Sequence, residues 1–193
     1  MSNEVVNYYE NYRGEKEIKR KEYVMILLID TTKEKLGKTS LGRLEDTVKF
    51  KSNYEYIDAS ELDISNCLGC NFCWLKTPGE CVVRDDYEPI LKKISKADQV
   101  WLITDTKFGF VSYQTKNIVD RVMPLVTMNL HFVGKQMRHV PRYKKNPNWG
   151  VIYTGEGNKD YLSKWCERVA INFAAKSLGA YRIDEIEEAV KCM

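Results

Sequence analysis

The chain has 193 residues, of which 44% are hydrophobic and 30% charged. That length suits one domain with a sizeable core, and that balance suits a globular chain. A net charge of only +3 gives no general field for nucleic acid, and the longest apolar run, residues 24–29, is too short to cross a bilayer. With no apolar signal-peptide core near the N-terminus, the expected setting is a reducing cytoplasm. There, clustered cysteines bind metal or do redox chemistry more often than they pair.

Residues 1–22 are polar, with Tyr8, Tyr9 and Tyr12 near helical spacing and a mixed-charge run, and read as an N-terminal arm or helix. Tyr23 to Ile29 is a continuous apolar run, expected as a strand buried on both faces. A polar loop follows, Asp30-Thr31-Thr32-Lys33 and then Gly37-Lys38-Thr39, leading into a helical stripe of Leu41, Leu44, Val48 and Phe50. A loop entering a helix after a strand is a natural phosphate site, because free N–H groups, hydroxyls and the helix dipole converge there. Gly37-Lys38-Thr39 matches the end of a nucleotide-triphosphate P-loop, but position 32, where that motif needs glycine, is Thr.

Residues 54–59 alternate and predict a second strand, which runs into Cys67, Cys70, Cys73 and Cys81. Tyr87, Ile90, Leu91 and Ile94 form a helical stripe, and residues 99–104 a third strand. Residues 113–126 read as a helix, and 127–149 as an irregular basic insertion carrying Lys135, Arg138, Arg142, Lys144, Lys145, His131 and His139. A fourth strand is expected over 149–154, a long helix ending near Gly179, a short fifth strand over 181–183 and a terminal helix over 185–192. Strands alternating with helices predict an α/β fold, a small doubly wound parallel sheet. Its ligands would bind at the carboxyl ends of the strands, where the loops 30–40, 104–112 and 154–158 meet.

The cysteines are spaced C-x2-C-x2-C-x7-C. Thiolates in such a run can hold a [4Fe–4S] cluster, can hold structural zinc, or can stay as free or partly oxidised thiols. Cys166 lies on an apolar helix stripe and reads as core, Cys192 sits in the tail, and neither histidine carries a catalytic role.

Cys67-Leu68-Gly69-Cys70, Cys73, Gly79, Cys81 and Asp85-Asp86 are followed by a helix and the strand 100–104. After these come Phe108-Gly109, Val111-Ser112, Gln114, Lys116 and Asp120-Arg121. Together this stretch resembles the flavodoxin-like NAD(P)H-dependent FMN reductases, and within them the iron–sulfur flavoproteins. The resemblance implies five parallel strands in the order 2-1-3-4-5 over residues 23–193, with a cysteine loop at 67–81 and an insertion at 127–149. It implies FMN at the sheet edge and Cys67, Cys70, Cys73 and Cys81 as metal ligands. It also implies homo-oligomers with the flavin near a subunit interface. The matching cofactor positions are Thr31, Lys33, Lys38 and Thr39 for the phosphate, with Thr104, Asp105, Lys107, Phe108, Gly109, Thr154 and Gly155 for the flavin loops. Asp30-Thr31-Thr32-Lys33 stands where the family has Gly-Ser-Pro-Arg, which puts a carboxylate where the phosphate would approach.

The expected function is an FMN-dependent oxidoreductase or electron-transfer flavoprotein. It would take hydride from NAD(P)H and pass electrons to a [4Fe–4S] cluster, or to a small-molecule or protein acceptor. Neither nucleic acid nor a membrane is an expected partner. The alternative is a flavodoxin-fold binding or accessory module that has lost FMN and keeps a metal-binding cysteine loop.

Overall fold

The computed structural model describes residues 24–37, 39–40 and 53–193. The N-terminal arm, Lys38 and the helical stripe from Leu41 to Phe50 lie outside the described residues.

Five parallel strands form the sheet: β1 (Met25–Asp30), β2 (Asn53–Asp58), β3 (Gln99–Lys107), β7 (Asn148–Thr154) and β8 (Ser177–Arg182), in the order β2-β1-β3-β7-β8. Taken in sequence along that sheet, this is the expected order 2-1-3-4-5. The run in β1 is apolar throughout because both of its faces are covered. Leu27 and Ile29 join Val100, Leu102, Val151 and Tyr153 in the larger core. Ile26 and Leu28 join Trp101, Ile103 and Ile152 on the opposite face. The larger core takes in Tyr87, Ile90, Leu91 and Ile94 of α2 (Tyr87–Ile94), Ile118 and Val119 of α3 (Tyr113–Asp120), and Leu162, Cys166, Val169 and Ala170 of α4 (Lys159–Asn172). The smaller core is closed by Ile186 and Ala189 of α5 (Ile186–Val190). A one-turn helix, α1 (Phe72–Leu75), lies in the cysteine loop.

Three expectations are corrected. The helix from 113 ends at Asp120 and not at Val126, because Pro124 cannot continue it. A 3-10 turn (Met123–Leu125) with this proline at its start follows instead. The helix expected to end near Gly179 stops at Asn172, with Ala174 left-handed at φ 52°. The chain then enters β8, which is twice as long as expected. Most consequentially, the irregular insertion is a hairpin of β5 (Val126–Val133) and β6 (Gln136–Pro141). Its two-residue turn places Gly134 at φ 60°, a position that favours glycine. The alternation of Val126, Met128, Leu130 and Phe132 was the available signal. It is weak because the ribbon stands off the sheet, leaving Met128, Leu130 and Phe132 exposed.

β3 runs on past the sheet to Lys107 and turns back through Phe108 and Gly109 into β4 (Phe110–Val111). Trp101 pairs with Gly150 across β3 and β7, and a Cβ at Gly150 would stand 2.4 Å from the indole ring. Gly150→Ala is therefore expected to cost about 1–3 kcal/mol, as overpacking does in a dense core, measurable as a lower urea midpoint with an unchanged slope.

Candidate metal and cofactor site

The cysteine loop is metered by side chains of one helix. Along α3, Gln114 Nε2 donates to the carbonyls of Ala59 (2.7 Å) and Leu62 (2.8 Å), and Asn117 Nδ2 donates to that of Ile64 (2.9 Å). One residue past the helix, Arg121 donates to the carbonyl of Ser65 (3.1 Å). These three side chains lie three and four residues apart, on one helical face. Beyond them, Gly69 (φ 65°) and Asn71 (φ 60°) take left-handed turns on either side of Cys70. Trp74 Nε1 then donates to the carbonyl of Met123 (3.0 Å), while its ring lies 4.7 Å from that of His139 on β6. Arg142, just past β6, donates to the carbonyls of Pro124 (2.9 Å) and Cys73 (3.5 Å). Two residues of the basic insertion thus hold the loop.

Arg121 is the centre of this arrangement. It is 2% exposed and ion-pairs with Asp85 at 2.5 Å. It reaches Cys81 Sγ at 3.5 Å and lies 4.5 Å from the centre of the buried Tyr87 ring. Burial pushes the Asp85 carboxyl upward, but the hydrogen bonds from Arg121, Ser65 N and Tyr87 N outweigh it and leave the group below its usual range. For Arg121 itself, burial favours loss of the proton, and Asp85 and Cys81 more than reverse that.

Cys67, Cys70, Cys73 and Cys81 line one cavity of about 460 Å³, walled further by Trp74, Val82 and Val83, by Trp165 and Val169 of α4, and by Phe173 just past that helix. Burial first, and then the neighbouring Cys81, Cys67 and Cys70 sulfurs, push the Cys73 thiol up to about 11. The other three sulfurs thus disfavour the Cys73 thiolate, a cost that bound metal removes. Among the described residues, no three such donors converge on a single ion position. The sulfurs border a volume rather than a point. Four soft ligands, apolar walls and a buried guanidinium against one sulfur fit a cluster-sized group. Cys166 is buried in the core, and its thiol donates to the Trp149 carbonyl at 3.1 Å.

The turn after β1 is built differently. Asp30 is fully buried, and its carboxylate accepts from Thr32 N (2.8 Å), Thr32 Oγ1 (2.6 Å), Gly37 N (2.8 Å) and Tyr56 OH (2.8 Å). Thr31 is also buried, its hydroxyl donating to the Ile103 carbonyl (3.1 Å) and lying 2.7 Å from that of Thr115. Thr104 completes this hydroxyl cluster through Ser112 (3.2 Å). Lys33 and Thr39 are exposed, and Lys35 pairs with Asp58 at 2.6 Å. As its described residues stand, this turn does not fit a phosphate group.

The other two loops meet across the rim. Phe108 (φ 52°) and Gly109 (φ 75°) form the tight turn between β3 and β4, and the Phe108 side chain is fully exposed. Gly109 bridges Gly157, and Thr106 Oγ1 donates to the carbonyl of Thr154 (2.9 Å). A Cβ at Gly155 would stand 2.8 Å from Thr106 Oγ1. Lys107 turns back on Asp105 at 3.4 Å. An open groove lined by Thr106–Gly109 and Glu156–Asn158 remains. Of the cofactor positions, the structure thus gathers Lys107, Phe108 and Gly109 at one groove with Asp105, Thr154 and Gly155 behind it, and it sets Thr31 and Thr104 into the interior. Arg121, Tyr87 and Arg142 carry structural work that residue spacing alone did not assign.

Removing one member of the buried pair leaves the other charge stranded, so Arg121→Met is expected to cost about 3–5 kcal/mol and Asp85→Asn somewhat less. A double-mutant cycle of the two should show strong coupling in urea unfolding. The Asp85 contribution is complete above about pH 4 and is lost as pH falls through its depressed folded value, so Asp85→Asn should flatten that part of the acid limb.

No family model matches the chain. An iron–sulfur flavoprotein of Methanocaldococcus jannaschii is 41% identical over 71 residues, 37% of this chain and 36% of that relative. The chain thus spans about a third of that relative's length in the matched stretch. An iron–sulfur flavoprotein of Archaeoglobus fulgidus is 29% identical over 178 residues, 76% of this chain and 86% of the relative. In three dimensions, the NAD(P)H:quinone oxidoreductase from Methanothermobacter marburgensis superposes with a TM-score of 0.57 at 11% identity, covering 88% of this chain and 95% of that one, a likeness of fold. The chain is thus similar in sequence to iron–sulfur flavoproteins, and its sheet is flavodoxin-like.

Proposed function

We propose that the chain is an electron-transfer protein whose redox centre is a [4Fe–4S] cluster held by Cys67, Cys70, Cys73 and Cys81. The observation that carries this reading is the single cavity bordered by all four sulfurs, with the buried Arg121 guanidinium against Cys81. A bound cluster would supply one-electron transfer. The chain's own residues do the rest. Arg121 offsets negative charge on the sulfurs, and its fixed position favours the more reduced state. Trp74, Val82 and Val83 keep water from one side of the cavity, and the metering by Gln114 and Asn117 fixes the direction from which the first cysteine arrives. The electron acceptor is a small molecule or a protein, the setting is a reducing cytoplasm, and no nucleic acid or membrane takes part. Homo-oligomers fit the exposed hairpin face.

A second reading, an FMN-dependent NAD(P)H oxidoreductase, is favoured by the groove between Thr106–Gly109 and Glu156–Asn158, which lies at the sheet edge where flavins bind in such folds. It is weakened by the Asp30 turn. The accessory-module reading differs from the first in having a centre that does no electron transfer.

Protein purified without oxygen is expected to contain about four iron and four sulfide per chain, with broad visible absorbance that bleaches on reduction. One zinc per chain, or no metal, overturns the cluster; a cluster that reductants do not bleach favours the accessory module. Cys73→Ser should lose the iron while keeping the far-ultraviolet dichroism of the fold. Arg121→Lys should retain a cluster of nearly unchanged potential, whereas Arg121→Met should shift that potential to more negative values in whatever fraction stays folded.

A further inference from the structure

We infer that the Asp30 carboxylate occupies, from within the chain, the place a cofactor phosphate takes after the first strand of such folds, so the β1 turn recognises no phosphate. A phosphate binds in that position because the turn and the following helix start offer N–H groups with no partner. Here six of them, all on described residues, are committed. Thr31 N donates to the Ile103 carbonyl (2.9 Å), and Thr32 N and Gly37 N donate to Asp30 (2.8 Å each). Lys35 N donates to the Thr32 carbonyl (3.2 Å), Leu36 N to Thr32 Oγ1 (3.0 Å), and Thr39 N to the Lys35 carbonyl (3.3 Å).

The hydroxyls are committed as well. Thr32 Oγ1 and Tyr56 OH both donate to Asp30, at 2.6 and 2.8 Å. Space is equally short. A Cβ at Gly37 would lie 2.3 Å from Ile103 Cδ1 and 2.9 Å from Asp30 Oδ2, so the helix start sits directly on the carboxylate. The charge is also wrong. A phosphate dianion placed here would face a fully buried carboxylate with four donors already on it, and the Lys35 ammonium is turned to Asp58. Asp30 thus closes the cradle by satisfying it. It follows that a flavin held at the rim groove is held by its ring alone, and that FMN and riboflavin are equivalent to this protein. The inference does not depend on what the cysteine cavity holds.

The test is a comparison of FMN with riboflavin on the full chain as purified without oxygen, by quenching of flavin fluorescence. The two are expected to bind within about threefold of each other, or not at all, since a working phosphate cradle of charge-assisted hydrogen bonds is worth tenfold or more. FMN binding more than tenfold tighter than riboflavin overturns the inference. In the companion variant Asp30→Ser, which frees two N–H groups and removes the charge, millimolar inorganic phosphate is expected to raise the melting temperature, while leaving that of the wild type unchanged. A folded Asp30→Ser protein indifferent to phosphate, or a wild type stabilised by it, counts against the inference. Should the variant not fold, the FMN–riboflavin ratio of the wild type decides alone.

Discussion

The ion pair between Arg121 and Asp85 is the contact on which the cysteine loop depends. Both side chains are nearly inaccessible, and each satisfies backbone groups of the same loop: Arg121 the carbonyls of Ser65 and Val83, Asp85 the N–H groups of Ser65 and Tyr87. A loop of this length with no sheet ladder of its own would otherwise leave buried polar groups without partners. The pair closes both ends of the loop against α3, and the guanidinium left over reaches Cys81. Support of the loop and compensation of sulfur charge are thereby vested in one side chain, and a substitution there disturbs both.

Two buried charged centres flank the candidate sites, and they are handled in opposite ways. At the cysteine cavity a cation is buried next to groups that become anionic, so the site is electrostatically ready for a ligand set that carries negative charge. At the β1 turn an anion is buried among donors, so the site is electrostatically complete. The same physics, a charge held in a poorly polarisable interior by hydrogen bonds, leaves one centre receptive and the other closed.

The sheet was legible because β1, β3 and β7 are covered on both faces, which forces continuous apolar runs such as that from Ile26 to Ile29 that no surface helix would show. The four cysteines were legible from spacing, since no packing role asks for such a repeat. The hairpin was not legible, because a ribbon that packs only at its base need not bury one face, and its lysines and arginines obscured the alternation. Arg121 was visible only as part of a matching stretch: its partner lies 36 residues away, and nothing local marks an arginine as buried. Asp30 was legible as a departure, while the direction of its carboxylate, inward onto Thr32, Gly37 and Tyr56, is a fact of three dimensions alone. Pro124, which ends α3, was in plain sight and was outweighed by the apolar periodicity on either side of it.

The ladder from α3 sets a rule for where the chain tolerates a change of length. Gln114, Asn117 and Arg121 reach the loop from successive turns, so one residue inserted into that helix would rotate every later side chain by about 100° and unhook the later rungs. The stretch from Ala59 to Ser65 is equally inelastic, because its carbonyls meet fixed donors. Between Lys76 and Glu80, by contrast, the backbone bonds are local ones, from Thr77 to Phe72, Gly79 to Cys73 and Glu80 to Thr77. The distance from the third cysteine to the fourth is therefore the free parameter of the motif, and the approach to the first is its ruler.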